Sequence, residues 1–214
     1  IKGAGTDTIR IEGVEKLHGT DYTVIPDRIV AGTYLLAGAI TGGKVTALNV
    51  IPEHLESLLA KLREMGVQVT VAGDTVTVQA KHPLQAIDSL RTLPYPGFPT
   101  DLQAPMMALL CLANGTSIVT ETVFESRFKH VNELKRMGAN IKVNERTAII
   151  TGVPALSSAN VSATDLRAGA ALVLAGLAAD GITVIEDVHH IYRGYIDLDV
   201  NLRALNARVE RIGD

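Results

Sequence analysis

The chain has 214 residues, 47% of them hydrophobic and 20% charged, which is enough apolar material to bury a sizeable core. Its net charge of −3 excludes a surface of clustered Lys and Arg for nucleic acid. The single cysteine, Cys111, excludes an internal disulfide and fits a reducing cytosol, and the longest apolar run, Ala168 to Ala179, is shorter than the roughly 20 residues that span a membrane.

Taken in order, the elements recur three times. The chain opens at Ile1 without a Met, as a fragment or processed product would. The first copy opens at Asp27, continues through the apolar segment AGTYLLAGAI to Gly42 and the strand-like run KVTALNV, and then shows one stripe of Leu55, Leu58, Leu59, Leu62 and Met65. It ends in VQVTV and DTVTVQA, a hairpin marked by Gly73-Asp74. The loop RTLPYPGFPTD follows, and Pro94, Pro96, Gly97 and Pro99 make it a rigid rim leading to Asp101. The second copy then runs APMMALLCLA, Gly115, SIVTETV, a stripe of Phe128, Val131, Leu134 and Met137, and NIKV with TAIITGV turning at Asn144-Glu145. The third opens at Asp165 with RAGAALVLAGLAA, passes Gly181 and ITVIEDV, and closes its amphipathic segment at Asn206.

The register is tight. Gly42, Gly115 and Gly181 lie at nearly one offset from the three aspartates, and Gly66, Gly138 and Asn206 at nearly one offset further along. A period of roughly 70 residues makes each copy a whole supersecondary unit, reading βαβαββ. The first helix of each copy is apolar all round and belongs in an interior, while the second is half exposed. Three sheets outside and three buried helices inside satisfy both patterns: an α/β fold, an inside-out α/β barrel of three βαβαββ repeats with pseudo-threefold symmetry.

In such a fold the three buried helices aim their N-termini at one face, where unpaired N–H groups attract anions. Arg28 and Arg167 follow the opening aspartates of copies one and three, and Arg127 and Arg193 hold matching positions in copies two and three. Guanidinium groups grip carboxylate and phosphate, so a substrate bearing both is expected. Two readings stay open for Asp27, Asp101 and Asp165. Each can be a simple N-cap, and a converging Asp beside cations can stay ionised to accept a proton or fix a hydroxyl. His189 and His190 are adjacent, which suits neither helical nor strand geometry of a metal pair, and read as structural. Cys111, in an apolar helix, reads as core.

At PYPGFPTDLQAPMMALL, TETVFESRF, GANI, ATDLRAGAALVLAGLAA and HIYRGY the chain resembles the carboxy-terminal half of the bacterial UDP-N-acetylglucosamine 1-carboxyvinyltransferases, enolpyruvyl transferases of peptidoglycan synthesis. The enolpyruvylshikimate phosphate synthases share the barrels, but PGFPTD and TDLRAGAALVLAGLAA point to the sugar-nucleotide branch. The resemblance implies a cytoplasmic bacterial enzyme of two such barrels. It moves the enolpyruvyl group of phosphoenolpyruvate to the 3-hydroxyl of UDP-N-acetylglucosamine through a tetrahedral phospho-intermediate and releases phosphate, without metal or cofactor. By motif, Asp101 would be the base on the sugar hydroxyl, and Val123 would touch the nucleotide sugar. Asp165, Arg167, Arg127 and Arg193 would line the phosphoenolpyruvate side.

The resemblance also implies boundaries. Residues 1–20 match a closing hairpin of an amino-terminal domain, and residues 21–214 form the carboxy-terminal barrel, with repeats at about 22–80, 98–153 and 161–214. The chain alone is then expected to be inactive and to need that domain as its partner, with no nucleic acid and no membrane involved. Where the family usually reads HIDRGY, Tyr192 replaces an Asp. The alternative of another class is a stand-alone, non-enzymatic barrel that binds an anionic metabolite or a partner protein.

Overall fold

Three helices with no polar face form the centre of the molecule in a computed structural model, which describes residues 1–6 and 8–213. The first unit consists of α1 (Arg28–Ile40), β1 (Lys44–Ala47), a 3-10 turn at Pro52–His54, α2 (Glu56–Glu64), β2 (Gln68–Ala72) and β3 (Thr75–Gln79). The middle unit runs β4 (Ser89–Arg91), a 3-10 turn at Thr100–Leu102, α3 (Gln103–Leu110), β5 (Thr116–Thr120), α4 (His130–Arg136), β6 (Asn140–Asn144) and β7 (Thr147–Thr151). The last holds β8 (Asn160–Ser162), α5 (Leu166–Ala178), β9 (Val184–Glu186), a 3-10 stretch at Val188–Arg193 and α6 (Leu198–Ala204).

α1, α3 and α5 pack on one another, and each also lies against strands of its own unit. Leu35, Leu36, Met106, Met107, Leu109, Leu172 and Leu174 are all buried there. Burying one such side chain contributes about 1.5–3 kcal/mol, so the apolar helices hold the fold together from its middle. Small residues let the layers approach: a Cβ on Gly169 would come within 2.5 Å of Ile191 Cγ1, so α5 and the 3-10 stretch sit closer than alanine allows. α2 turns Leu58, Leu59 and Leu62 inward and α4 turns Val131 and Leu134 inward, with charged residues facing out.

The amphipathic helices all end the same way. Gly66, Gly138 and Asn206 adopt left-handed φ of 89°, 89° and 68°. The next N–H then reaches back to the last turn, from Val67 to Leu62 O (2.9 Å), Ala139 to Leu134 O (3.0 Å) and Ala207 to Leu202 O (3.0 Å). This closure satisfies carbonyls that a helix end leaves open, and it confirms the register read from the sequence.

The units are not equal, which departs from expectation. Only the middle one forms the full βαβαββ, with strand order β4-β5-β7-β6, β4 parallel to β5 and the remaining pairs antiparallel. The first sheet, β1-β3-β2, lacks a leading strand, and the third, β8-β9, lacks the closing hairpin. A strand persists only where a neighbour takes up its N–H and C=O groups. Residues 11–26 and 207–213 form no ladder, and Val14, Leu17, Tyr22, Val24 and Ile212 stand exposed. Near the amino terminus a single antiparallel bridge joins Lys2 and Arg10, each N–H donating to the other's carbonyl at 2.9 Å.

Candidate functional site

Of the three opening aspartates, two cap helices. Asp27 Oδ1 accepts from the N–H groups of Ile29 (2.7 Å) and Val30 (3.2 Å), and Asp165 Oδ1 from those of Arg167 (2.8 Å) and Ala168 (2.9 Å). Asp101 caps nothing. It sits in the 3-10 turn at Thr100–Leu102, and α3 begins beyond it without a side-chain cap. Its carboxylate reaches sideways instead: Oδ1 accepts from Arg127 Nη2 at 2.8 Å and from Arg167 Nε at 3.4 Å. The three side chains retain 40%, 20% and 14% of their exposure, so these pairs contribute about 1 kcal/mol or less to stability. Two guanidiniums on one carboxylate leave a net positive cluster, suited to an anion.

A chain of polar contacts ties this cluster to the other helix starts. Arg167 Nη1 donates to Tyr195 Oη at 3.2 Å, Tyr195 Oη meets Thr33 Oγ1 at 2.9 Å, and Thr33 Oγ1 donates to Ile29 O at 2.9 Å. Asp101 precedes α3, Arg167 stands in the first turn of α5 and Ile29 in the first turn of α1. The N-terminal ends of the three buried helices therefore meet, and their open N–H groups and dipoles add positive potential at one place. Arg28 borders the same region, its guanidinium 5.8 Å from the ring of Tyr95 in the proline-rich rim, and Tyr95 meets His54 edge-on at 5.7 Å. Among the described residues Arg28 has no carboxylate partner.

The remaining predicted positions are less directly joined. Asp165 touches the cluster through its bond to the Arg167 N–H. Exposed Val123 donates its N–H to Glu121 Oε1 at 2.8 Å, and Thr100, next to Asp101, donates to the other oxygen of that carboxylate at 2.8 Å. Arg193 is exposed at the end of the 3-10 stretch that packs on α5, and its side chain makes no hydrogen bond or ion pair with a described residue. Beside it, Tyr192 lies under the guanidinium of Arg211 at 4.7 Å. The rings of His189 and His190 lie 4.1 Å apart, tilted by 37°, and among the described residues no cluster of His, Cys, Asp and Glu could hold a metal ion.

Sequence reasoning passed over three residues here. Tyr195, 1% exposed, is the hub between Arg167 and Thr33, and only its place in HIYRGY could have drawn notice. Glu121, 1% exposed, stands just past β5, and the signal was an acid inside the strand-like run SIVTETV. His130, 2% exposed, opens α4 with its Nε2 unpartnered. Burial pushes its pKa down to about 4, against the raising effect of the Asp165 charge; the Arg127 charge lowers it and a hydrogen bond to the Arg127 backbone raises it. Cys111 is fully buried, which raises its thiol to about 12 and leaves it without thiolate chemistry. No helix among the described residues is long and apolar enough to cross a membrane.

Residues 1–202 match the profile of the family described as EPSP synthase (3-phosphoshikimate 1-carboxyvinyltransferase). The chain is 59% identical over 211 residues to the UDP-N-acetylglucosamine 1-carboxyvinyltransferase 1 of Caldanaerobacter subterraneus subsp. tengcongensis, covering 99% of this chain and 51% of that protein. It is 59% identical over 212 residues to the UDP-N-acetylglucosamine 1-carboxyvinyltransferase of Clostridium botulinum, again covering 99% and 51%. Among solved structures, the enolpyruvyl transferase NikO from Streptomyces tendae has a TM-score of 0.78 at 32% identity, over 88% of this chain and 45% of that one. EPSP synthase from Acinetobacter baumannii, at 22% identity and a TM-score of 0.65 over 90% of this chain and 45% of that one, shares the fold. The chain spans about half the length of the curated relatives it matches.

Proposed function

The chain belongs to the EPSP synthase family, and from that premise we propose that it supplies the carboxy-terminal half of a UDP-N-acetylglucosamine 1-carboxyvinyltransferase. That enzyme transfers enolpyruvyl from phosphoenolpyruvate to the sugar 3-hydroxyl and releases phosphate, a step of peptidoglycan synthesis in the bacterial cytoplasm. The observation that carries the reading is the carboxylate of Asp101 held between Arg127 and Arg167 where three helix starts meet; the relatives' names supply the substrates.

The roles follow from the chemistry. Addition across the enol double bond needs a base on the attacking hydroxyl, an acid for the methylene carbon, and cations for a substrate rich in negative charge. Asp101 is the base, and the arginines that grip it hold its carboxylate in place until the hydroxyl arrives. Arg127, Arg167 and Arg193 hold the carboxylate and phosphate of phosphoenolpyruvate, and Asp165, anchored at the start of α5, assists proton handling. Val123 borders the nucleotide sugar. No step calls for a metal or cofactor.

In this reading residues 21–214 are one inside-out barrel of three repeats, at about 22–80, 98–153 and 161–214. Residues 1–20 belong to the sheet of a second, amino-terminal barrel that provides the acid and much of the uridine site. The test mixes or co-expresses the chain with an amino-terminal half taken from a relative and measures phosphate release. Release that requires both substrates and both halves is the expected result. No release, with both pieces folded, would replace this reading with a non-enzymatic module that binds an anionic metabolite or a partner.

A further inference from the structure

We propose that Glu121 is a positioning residue whose one buried carboxylate sets both sides of the Asp101–Arg127 pair, the sugar side through Thr100 and Asp101 and the phosphoenolpyruvate side through Phe124 and Arg127. This rests on the reading of the site given above.

Glu121 is 1% exposed and makes no ion pair with a described residue. A buried carboxylate without a cation is costly unless hydrogen bonds replace its water. Here four donors do so. Oε1 accepts from Thr92 Oγ1 (2.8 Å) and from the N–H groups of Val123 (2.8 Å) and Phe124 (3.1 Å), and Oε2 accepts from Thr100 Oγ1 (2.8 Å). Thr92 is itself tied across, accepting from the Thr122 N–H at 2.9 Å and receiving the Thr122 hydroxyl on its carbonyl. The backbone of Glu121 is fixed as well, its N–H donating to Arg146 O at 2.8 Å.

A plain loop staple would satisfy most of this. What exceeds a staple is where the two tied segments lead. From Oε2 the path runs through Thr100 to the adjacent Asp101. From Oε1 it runs through the Phe124 N–H to the Phe124 ring, which lies 4.6 Å from the guanidinium carbon of Arg127. Arg127 then closes the ring on Asp101 at 2.8 Å. Asp101 and Arg127 are thus attached to the two oxygens of one carboxylate, and Val123 hangs on the same oxygen as Phe124. Arg167 and Arg193 are carried on α5 and on the 3-10 stretch beyond it, outside this ring. Cutting the Thr100 link should therefore act on the sugar side of the site through Asp101, whereas removing the whole carboxylate should also disturb Arg127 and with it the phosphoenolpyruvate side.

Three variants test this. In Glu121→Gln the amide oxygen can keep the Oε1 donors, and the Thr100 hydroxyl can turn to accept from the amide NH2, so the ring survives. In Thr100→Val only the link to Asp101 goes, and in Glu121→Ala both sides go. With the reconstituted two-half enzyme, Thr100→Val is expected to raise KM for UDP-N-acetylglucosamine by about fivefold or more with KM for phosphoenolpyruvate within about twofold, Glu121→Ala to raise both, and Glu121→Gln to stay close to the parent. In Thr100→Val, equal changes in both KM values or no change in either would overturn the proposal. If Glu121→Ala fails to fold, Thr100→Val decides.

A second readout needs no activity and separates this claim from the assigned reaction. In the 214-residue chain, the amides of Val123 and Phe124 should exchange about tenfold faster in Glu121→Ala than in the parent or in Glu121→Gln, and the 15N signal of the Arg127 guanidinium should move in Glu121→Ala and in Thr100→Val. An inactive parent assembly with these shifts present defeats the reaction and keeps Glu121 as the positioner. Unchanged amides and guanidinium in a folded Glu121→Ala defeat the positioner itself.

Discussion

Arg167 and Tyr195 hold each other twice: the guanidinium donates to the phenol oxygen at 3.2 Å and lies 5.5 Å from the centre of the ring. Because the same phenol oxygen meets Thr33 of α1, this one pair couples the starts of α5 and α1. Tyr195→Phe keeps the ring and deletes the junction. Loss of about 1 kcal/mol is expected, lowering Tm by about 2–4 °C in a chain of this size. Thermal unfolding of the two proteins checks it, and an unchanged Tm would mean that the junction carries no stability.

Asp101→Asn separates chemistry from folding more cleanly than capping logic allows. Since Asp101 caps no helix, the amide need not replace a cap, and it loses only two half-buried ion pairs. Stability should fall by about 1 kcal/mol or less. In the reconstituted enzyme turnover should drop by about a hundredfold or more, since an amide accepts no proton at neutral pH. Turnover near that of the parent would remove Asp101 from the role of base.

The chain should lose stability in mild acid through His130. Its folded pKa, lowered to about 4 by burial, lies below the ordinary 6.5 of an unfolded histidine. The folded state therefore binds fewer protons than the unfolded one between these values. Stability is whole above pH 6.5 and drains away as pH falls toward 4, by a few kcal/mol at most from this one group. Urea midpoints at pH 7 and pH 4.5 should differ less in His130→Leu than in the parent. Parallel shifts in the two proteins would assign the acid sensitivity to other groups.

Cys111 should be silent toward thiol reagents. It is fully buried with its thiol raised to about 12, so both access and thiolate are lacking. Alkylation by iodoacetamide is expected only after unfolding in guanidinium, and labelling of the native chain at the rate of a free thiol would contradict the packing around α3.

What could be read in the sequence was local. An all-apolar helix declares its burial, and a Gly or Asn ending an amphipathic stripe declares a left-handed turn, so α1, α3, α5 and the closures at Gly66, Gly138 and Asn206 were legible. The convergence of Asp101, Arg127 and Arg167 followed from the repeat. Other features depended on neighbours distant in the chain. Three aspartates in similar settings look alike until the 3-10 turn at Thr100–Leu102 moves the helix start past Asp101. Glu121 in a Thr-rich strand reads as solvent-facing, and only the fold-back of residues 92–100 and 122–124 encloses it. A resemblance that assigns residues 1–20 to a closing hairpin says nothing about whether an edge stands ready to receive them, and Val14 and Leu17 stand exposed.

An internally triplicated scaffold would ordinarily present three equivalent mouths, none better than its sisters. The aspartate of the second copy, released from its helix and turned toward an arginine of the third, breaks that degeneracy with a single side chain. Repetition thus provides the frame, and among the described residues one defect in the repetition marks the corner where the copies cease to be alike.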